Sequence, residues 1–187
     1  MSITEKTRGK VVSGKSQIID GIGTAPGSGV TSLEGMGDIH TTVVDISGVA
    51  TTMTDNLTKL YGGELLYTFP EGSICILGAT ADLGIVVSAN LKTGADGDFS
   101  LGTITADSGA ALTGADASII PVTTVTCVSF IASPTGRTAA TIVPQDGTSA
   151  ATTVYLNYAW DTGAYTDAGI VTTTGTVTIV WAQLGDY

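Results

Sequence analysis

Thr153-Val-Tyr-Leu-Asn-Tyr-Ala-Trp160 sets Val154, Leu156, Tyr158 and Trp160 against Thr153, Tyr155, Asn157 and Ala159. Alternation of this kind has the period of an extended strand, whose successive side chains point to opposite faces. The expectation is a half-buried β-strand. The end of the chain repeats the pattern, with Val177, Ile179 and Trp181 on one face and Thr176 and Thr178 on the other. Threonine suits the wetter face because its branched β-carbon favours extended backbone while its hydroxyl accepts solvent.

Working outward, further strand candidates are Ile39–Ile46, Glu64–Phe69, Ile74–Gly78, Leu83–Asn90, Phe99–Thr105, Val122–Ile131, Ala139–Val143 and Ile170–Leu184. Ile74–Leu77 and Ile85-Val86-Val87 are apolar on both faces, as central strands of a covered sheet are. Between the candidates lie expected turns at Tyr61-Gly-Gly63, Pro70-Glu-Gly72, Gly94-Ala-Asp-Gly97, Gln145-Asp-Gly147 and Asp161-Thr-Gly163. Their glycines and aspartates tolerate the backbone geometry of a chain reversal. Only Thr54–Leu60 and Asp107–Ala117 have room for a short helix, the second with Asp107 as N-cap. About nine strands with frequent turns predict an all-β chain, a β-sandwich arranged in the manner of a jelly roll.

The chain has 187 residues, 43% hydrophobic and only 13% charged, with a net charge of −10. That length fits one domain with an arm. The charge is divided unevenly. Residues 1–15 hold Lys6, Arg8, Lys10 and Lys15 against Glu5, while residues 16–187 hold three basic residues against sixteen acids. Residues 1–37 lack a sustained pattern, and the run Gly21-Ile-Gly-Thr-Ala-Pro-Gly-Ser-Gly29 is flexible punctuation. The expected division is an extended, basic and glycine-rich arm over 1–37 and a sandwich over 38–187. The four basic residues of the arm are the candidate contact to an acidic neighbour, a shell or another copy of the chain. So acidic a body has nothing to neutralise a row of phosphates, which argues against nucleic acid as a partner. It equally argues against a polybasic membrane contact. The uncharged runs Ala117–Gly136 and Ala168–Gly185 carry too many Ser, Thr, Gly and Pro to read as membrane spans. No secretory leader is expected, since no apolar run follows the first charges. Cys75 and Cys127 each sit in an apolar run and are expected as buried thiols rather than as a disulfide.

Motifs for chemistry are few. Gly9-Lys-Val-Val-Ser-Gly14-Lys15-Ser16 fits the phosphate-loop pattern letter for letter. It lacks the preceding buried strand and the following helix whose amides would hold phosphate. His40, the only histidine, is expected as an ordinary strand residue, and no nucleophile elbow accompanies it. Asp96-Gly-Asp98 offers two carboxylates to a hard cation but lacks the rest of an EF-hand loop. Asn56-Leu-Thr58 has the form of a glycosylation acceptor and is read as coincidence. No catalytic residue, metal site or cofactor is expected.

Three stretches carry a resemblance. They are Tyr61-Gly-Gly-Glu-Leu-Leu-Tyr-Thr-Phe-Pro-Glu-Gly-Ser-Ile-Cys-Ile-Leu-Gly-Ala-Thr-Ala-Asp-Leu83, then Leu101-Gly-Thr-Ile-Thr-Ala-Asp107 with Leu112-Thr-Gly-Ala-Asp-Ala-Ser-Ile-Ile-Pro121, and finally Val154-Tyr-Leu-Asn-Tyr-Ala-Trp-Asp161 leading to Gly175-Thr-Val-Thr-Ile-Val-Trp-Ala-Gln-Leu-Gly-Asp-Tyr187. Together they resemble the small head-decoration, or cement, proteins of tailed bacteriophages. The resemblance implies a β-sandwich seated outside an icosahedral head, commonly as a homotrimer, with the major capsid protein and its own copies as partners. It implies a virion protein made in the cytoplasm of a bacterial host, with no enzymatic activity. The basic arm has no counterpart in the resemblance. Two other readings stand beside it: another virion subunit (tail, fibre or main shell), and a carbohydrate- or ligand-binding β-module using Tyr155, Tyr158, Trp160, Tyr165 and Trp181 as a stacking platform.

Overall fold

The computed structural model describes residues 23–35, 39–55, 59–88, 96–107, 112–127, 131–137, 142–161 and 169–185. In chain order the strands are β1 (Val30–Gly35), β2 (His40–Thr52), β3 (Thr54–Asp55), β4 (Lys59–Thr68), β5 (Ser73–Val87), β6 (Asp96–Gly102), β7 (Ile120–Thr126), β8 (Ile131–Ala132), β9 (Thr135–Arg137), β10 (Val143–Gln145), β11 (Thr153–Asp161) and β12 (Ile170–Gly185). One 3-10 turn, Gly114–Ala117, interrupts them.

The strands form two antiparallel sheets packed face to face as a β-sandwich. One has the order β1-β2-β12-β5-β10, with β8 and β9 also paired to β5. The other has the order β3-β4-β11-β6-β7. Segments β8, β9 and β10 follow one another along the same edge of β5, in register at Ile131↔Val86, Thr135↔Asp82 and Val143↔Ile76. They act as a single strand broken twice.

Alternation builds the core. On β2, Thr42, Val44 and Ile46 point inward. On β12, Val177, Ile179 and Trp181 do the same, and Leu83 and Ile85 of β5 join them. The facing sheet contributes Leu66, Phe99, Leu101, Leu156, Tyr158 and Trp160 to the same cluster. Removing one such aromatic side chain typically costs about 3–5 kcal/mol, because transfer and cavity losses add.

The structure departs from the sequence expectations at several places. Ile74–Gly78 and Leu83–Asn90 are not two strands up to Val87 but parts of the single fifteen-residue β5. On it, Val86 is 49% exposed, so this segment is covered on one face only. Tyr61-Gly-Gly63 is not a turn but the middle of β4. Its glycines serve close approach: a Cβ at Gly63 would collide with Asn157 Oδ1 and Thr105 Oγ1. Thr54, Asp55, Lys59 and Leu60 are in strands and not in a helix. The N-cap of the 3-10 turn is Thr113, not Asp107. The Val122–Ile131 candidate divides into β7 and β8 around residues outside the described set.

The expected arm is also packed along part of its length. Thr24 exchanges backbone hydrogen bonds with Thr68 at 2.8 and 2.9 Å. Val30 is buried in the core, and β1 pairs with β2 from Val30↔Ile46 to Gly35↔Thr41. Packing therefore begins well before residue 38. Val30 supplies the buried side chain while Leu33, on the opposite face of β1, is 70% exposed, so no apolar alternation marks this strand in the sequence. Residues 1–22 lie outside the described residues.

Candidate functional site

The two outer faces of the sandwich differ. On the five-stranded sheet, β11 was expected to wet one face, yet Asn157 and Ala159 on that face are buried. The segment following β6 and the 3-10 turn fold over them, and Ala106, Leu112 and Ala159 form a small second core. Asn157 fastens this cover. Its Oδ1 accepts the Ala106 N–H at 2.8 Å. Its Nδ2 donates to the carbonyls of Asp116 at 2.8 Å and Ile104 at 3.0 Å. The Asp116 carbonyl also accepts Ser100 Oγ–H at 2.7 Å. Asp116 itself is buried, and its Oδ1 has no hydrogen-bond partner among the described residues. Burial, helped by the charge of Asp107, raises its carboxyl above the ordinary aspartate range, against backbone hydrogen bonds at Thr113 and Asp116.

On the seven-stranded sheet no described element covers the outer face. Cross-strand register lines up Thr31, Asp45, Thr176, Asp82 and Thr135 in one row. The neighbouring row holds Leu33, Val43, Thr178, Thr80 and, by register, Arg137. Thr176 Oγ1–H donates to Asp45 Oδ1 at 3.2 Å. A cleft of about 360 Å³ lies here, lined by Thr80, Asp82, Thr135, Gly136, Thr176 and Thr178 among others. Threonine hydroxyls and the Asp82 carboxylate are its polar groups, and Asp45, beside Thr176, is exposed like Asp82. Such a surface can accept hydrogen bonds and attract cationic groups.

The residues singled out for chemistry fall as follows. His40 is buried in β2 and stacks on Trp181, ring centroids 4.1 Å apart at 16°. Trp181 Nε1–H donates to Thr42 Oγ1 at 2.9 Å, and Phe69 meets the indole edge-on at 5.0 Å. Tyr158, Trp160 and Trp181 are buried in the core, so they form no external stacking platform. Tyr158 bonds Thr173 Oγ1 at 2.6 Å, and burial drives its phenol pKa upward. Tyr155 is half-buried. Asp96 is exposed and Asp98 half-buried at the start of β6. Among the described residues no group of three or more His, Cys, Asp or Glu could hold a metal ion. Cys75 is half-buried, Cys127 is buried, and both are free thiols. Lys6, Arg8, Lys10, Lys15, the Gly9–Ser16 motif, Asn56 and Tyr165 lie outside the described residues.

Sequence reasoning missed both the Asn157 fastening and the cross-strand row. An asparagine inside an otherwise clean strand was the available signal for the first. The second depends on pairing between strands far apart in sequence. No known protein family matches the chain, and no curated protein or solved structure matches it.

Proposed function

We propose that this chain is a non-enzymatic virion structural protein, a cement subunit that binds the outside of an assembled phage head. We further propose that its sandwich is a jelly roll. The observation that supports both is the strand order. Counting β8–β10 as one strand, the principal strands pair as β2-β12-β5-β10 and β4-β11-β6-β7. The chain crosses between sheets from β2 to β3, β4 to β5, β5 to β6, β7 to β8, β10 to β11 and β11 to β12, as in the doubled Greek key common among capsid subunits. The resemblance over residues 61–83, 101–107, 112–121, 154–161 and 175–187 points the same way.

A cement subunit acts by binding the assembled shell better than its separated parts. Differential affinity then stabilises the assembly, and many weak contacts add through multivalency. Such work needs a rigid core and a self-complementary surface, which a homotrimer of this sandwich would supply. Lys6, Arg8, Lys10 and Lys15 are proposed as the adhesive segment. No described helix is long and apolar enough to cross a membrane, and the proposed location is the head surface.

The test is co-sedimentation of purified protein with heads of the source phage that lack it. The expected result is saturable binding at a fixed number of copies per head, with heads that withstand higher temperature before releasing DNA. Absence of binding, with the protein located by electron microscopy in tails or fibres, would replace this proposal with that of another virion subunit.

A further inference from the structure

We infer that the open face of the seven-stranded sheet, centred on Asp45, Thr176 and Asp82, receives the basic N-terminal segment of a second copy of this chain. The choice of occupant rests on reading the protein as an adhesive oligomer; the face itself does not.

Three observations converge. The first is that, among the described residues, the middle of the five-stranded sheet around Asn157 and Ala159 is covered, whereas no described element overlies the row Thr31–Asp45–Thr176–Asp82–Thr135. The second is charge. Strands β1, β2, β5 and β12 contain no lysine or arginine, and Arg137 closes β9 in register with Thr80. The face presents Asp45 and Asp82 two strand spacings apart, roughly 10 Å. Within the whole chain the cations are concentrated in residues 1–15, and the body carries sixteen acids against three basic residues. The third is spacing. Lys6, Arg8 and Lys10 recur at every second position. An extended backbone would put all three on one side at intervals of roughly 6.7 Å, within side-chain reach of both carboxylates.

Exposed ion pairs are individually weak and salt-screened, but lysines and arginine facing Asp82 in a threonine-lined cleft and Asp45 beside it give a contact that can be repeated around a ring. On the reading of the protein as an adhesive oligomer the segment comes from a neighbour; Lys15 lies nine residues before Thr24, an extended span that would reach either sheet, so the isotope pairing below decides between a neighbour's segment and the chain's own. A head-to-tail exchange of this kind closes a ring when its rotation closes.

The experiment is zero-length carbodiimide cross-linking of full-length protein, mixed in equal parts as nitrogen-14 and nitrogen-15 material and read by mass spectrometry. Expected are amide links from Lys6, Lys10 or Lys15 to Asp45 or Asp82 that join peptides of unlike isotope, and that fall severalfold in 0.5 M salt. The Asp45→Asn/Asp82→Asn double variant should keep the wild-type melting temperature and self-associate about fivefold more weakly by sedimentation velocity. Links spread evenly over Glu71, Asp107 and Asp146 would overturn the inference, as would links only between peptides of the same isotope. Head binding by a protein without the Asp45 and Asp82 links would sink this inference and spare the proposed function. The links without head binding would do the reverse.

Discussion

Asn157→Ala tests whether the cover over the five-stranded sheet is held by one side chain. The substitution removes three hydrogen bonds at a site with no solvent access. The three losses are unequal. The buried Ala106 N–H is left without an acceptor, and orphaning such a donor costs about 1–3 kcal/mol. The Asp116 carbonyl keeps Ser100 Oγ–H as donor, and the Ile104 carbonyl belongs to an exposed residue that water can reach. Those two losses are worth about 0.5–1 kcal/mol each. The sum is about 3 kcal/mol, equivalent to a fall of roughly 6–12 °C in melting temperature for a chain of this size. Urea unfolding with an unchanged m-value is the assay. Gly63→Ala should approach the same loss from the other side, since its Cβ would displace the Asn157 amide. Adding Ser100→Ala to Asn157→Ala should cost more than the two single changes together, because the Asp116 carbonyl then loses both donors. A loss below about 1 kcal/mol for Asn157→Ala would refute this reasoning and place the fastening in the apolar contacts of Ala106, Leu112 and Ala159.

Asp116 should make stability depend on pH. Burial raises its native pKa, so the native state holds the proton more tightly than the unfolded chain. Its contribution to stability is present below the unfolded value of 3.8 and is lost as pH rises through the raised native value. Asp116→Asn should therefore gain on wild type as pH climbs from about 3.5 toward neutrality, read as the difference in urea midpoints. Thr42→Val leaves the buried Trp181 Nε1–H without its acceptor and should cost about 1–3 kcal/mol by the same assay. Under native conditions a thiol reagent should modify half-buried Cys75 well before Cys127, whose thiol pKa is raised by burial. Both should react at once in denaturant.

Much of the sandwich was legible because one face of each long strand is buried. The alternation of Val177, Ile179 and Trp181 is a direct print of the core on the sequence, and β12 runs within one residue of its expected end. Legibility failed where tertiary contacts override local pattern. Gly62 and Gly63 look like a turn in isolation; in the fold they are the strand residues that let neighbouring chain approach β4. Ala79 to Asp82 looks like a break between two apolar runs, yet β12 pairs with it residue by residue and keeps it extended. Asn157 reads as a solvent-facing residue until a segment fifty residues earlier in sequence folds over it. The candidate docking face was the least legible feature. Its row takes one residue from each of five strands, and nothing in the sequence says that residues 31, 45, 176, 82 and 135 share a line.

The asymmetry between the two outer faces links fold to role. A sandwich with both faces bare would have two equivalent surfaces on which to stick, and its contacts could propagate without limit. Here the Asn157-fastened segment occupies one face. The sheet that no described element covers carries carboxylates and hydroxyls together with scattered exposed apolar side chains, Leu33, Val86 and Ile170 among them. Polar, weakly charged docking surfaces bind little in pairs and gain strength when many copies are held in geometric order. A protein so built would remain apart from its fellows at low concentration and adhere when an ordered scaffold aligns them. Covering the open face, or uncovering the closed one by Asn157→Ala, should therefore affect assembly in opposite directions: the first abolishes ordered association, the second adds disordered association, separable by sedimentation velocity as loss of a discrete oligomer against growth of a broad heavy fraction.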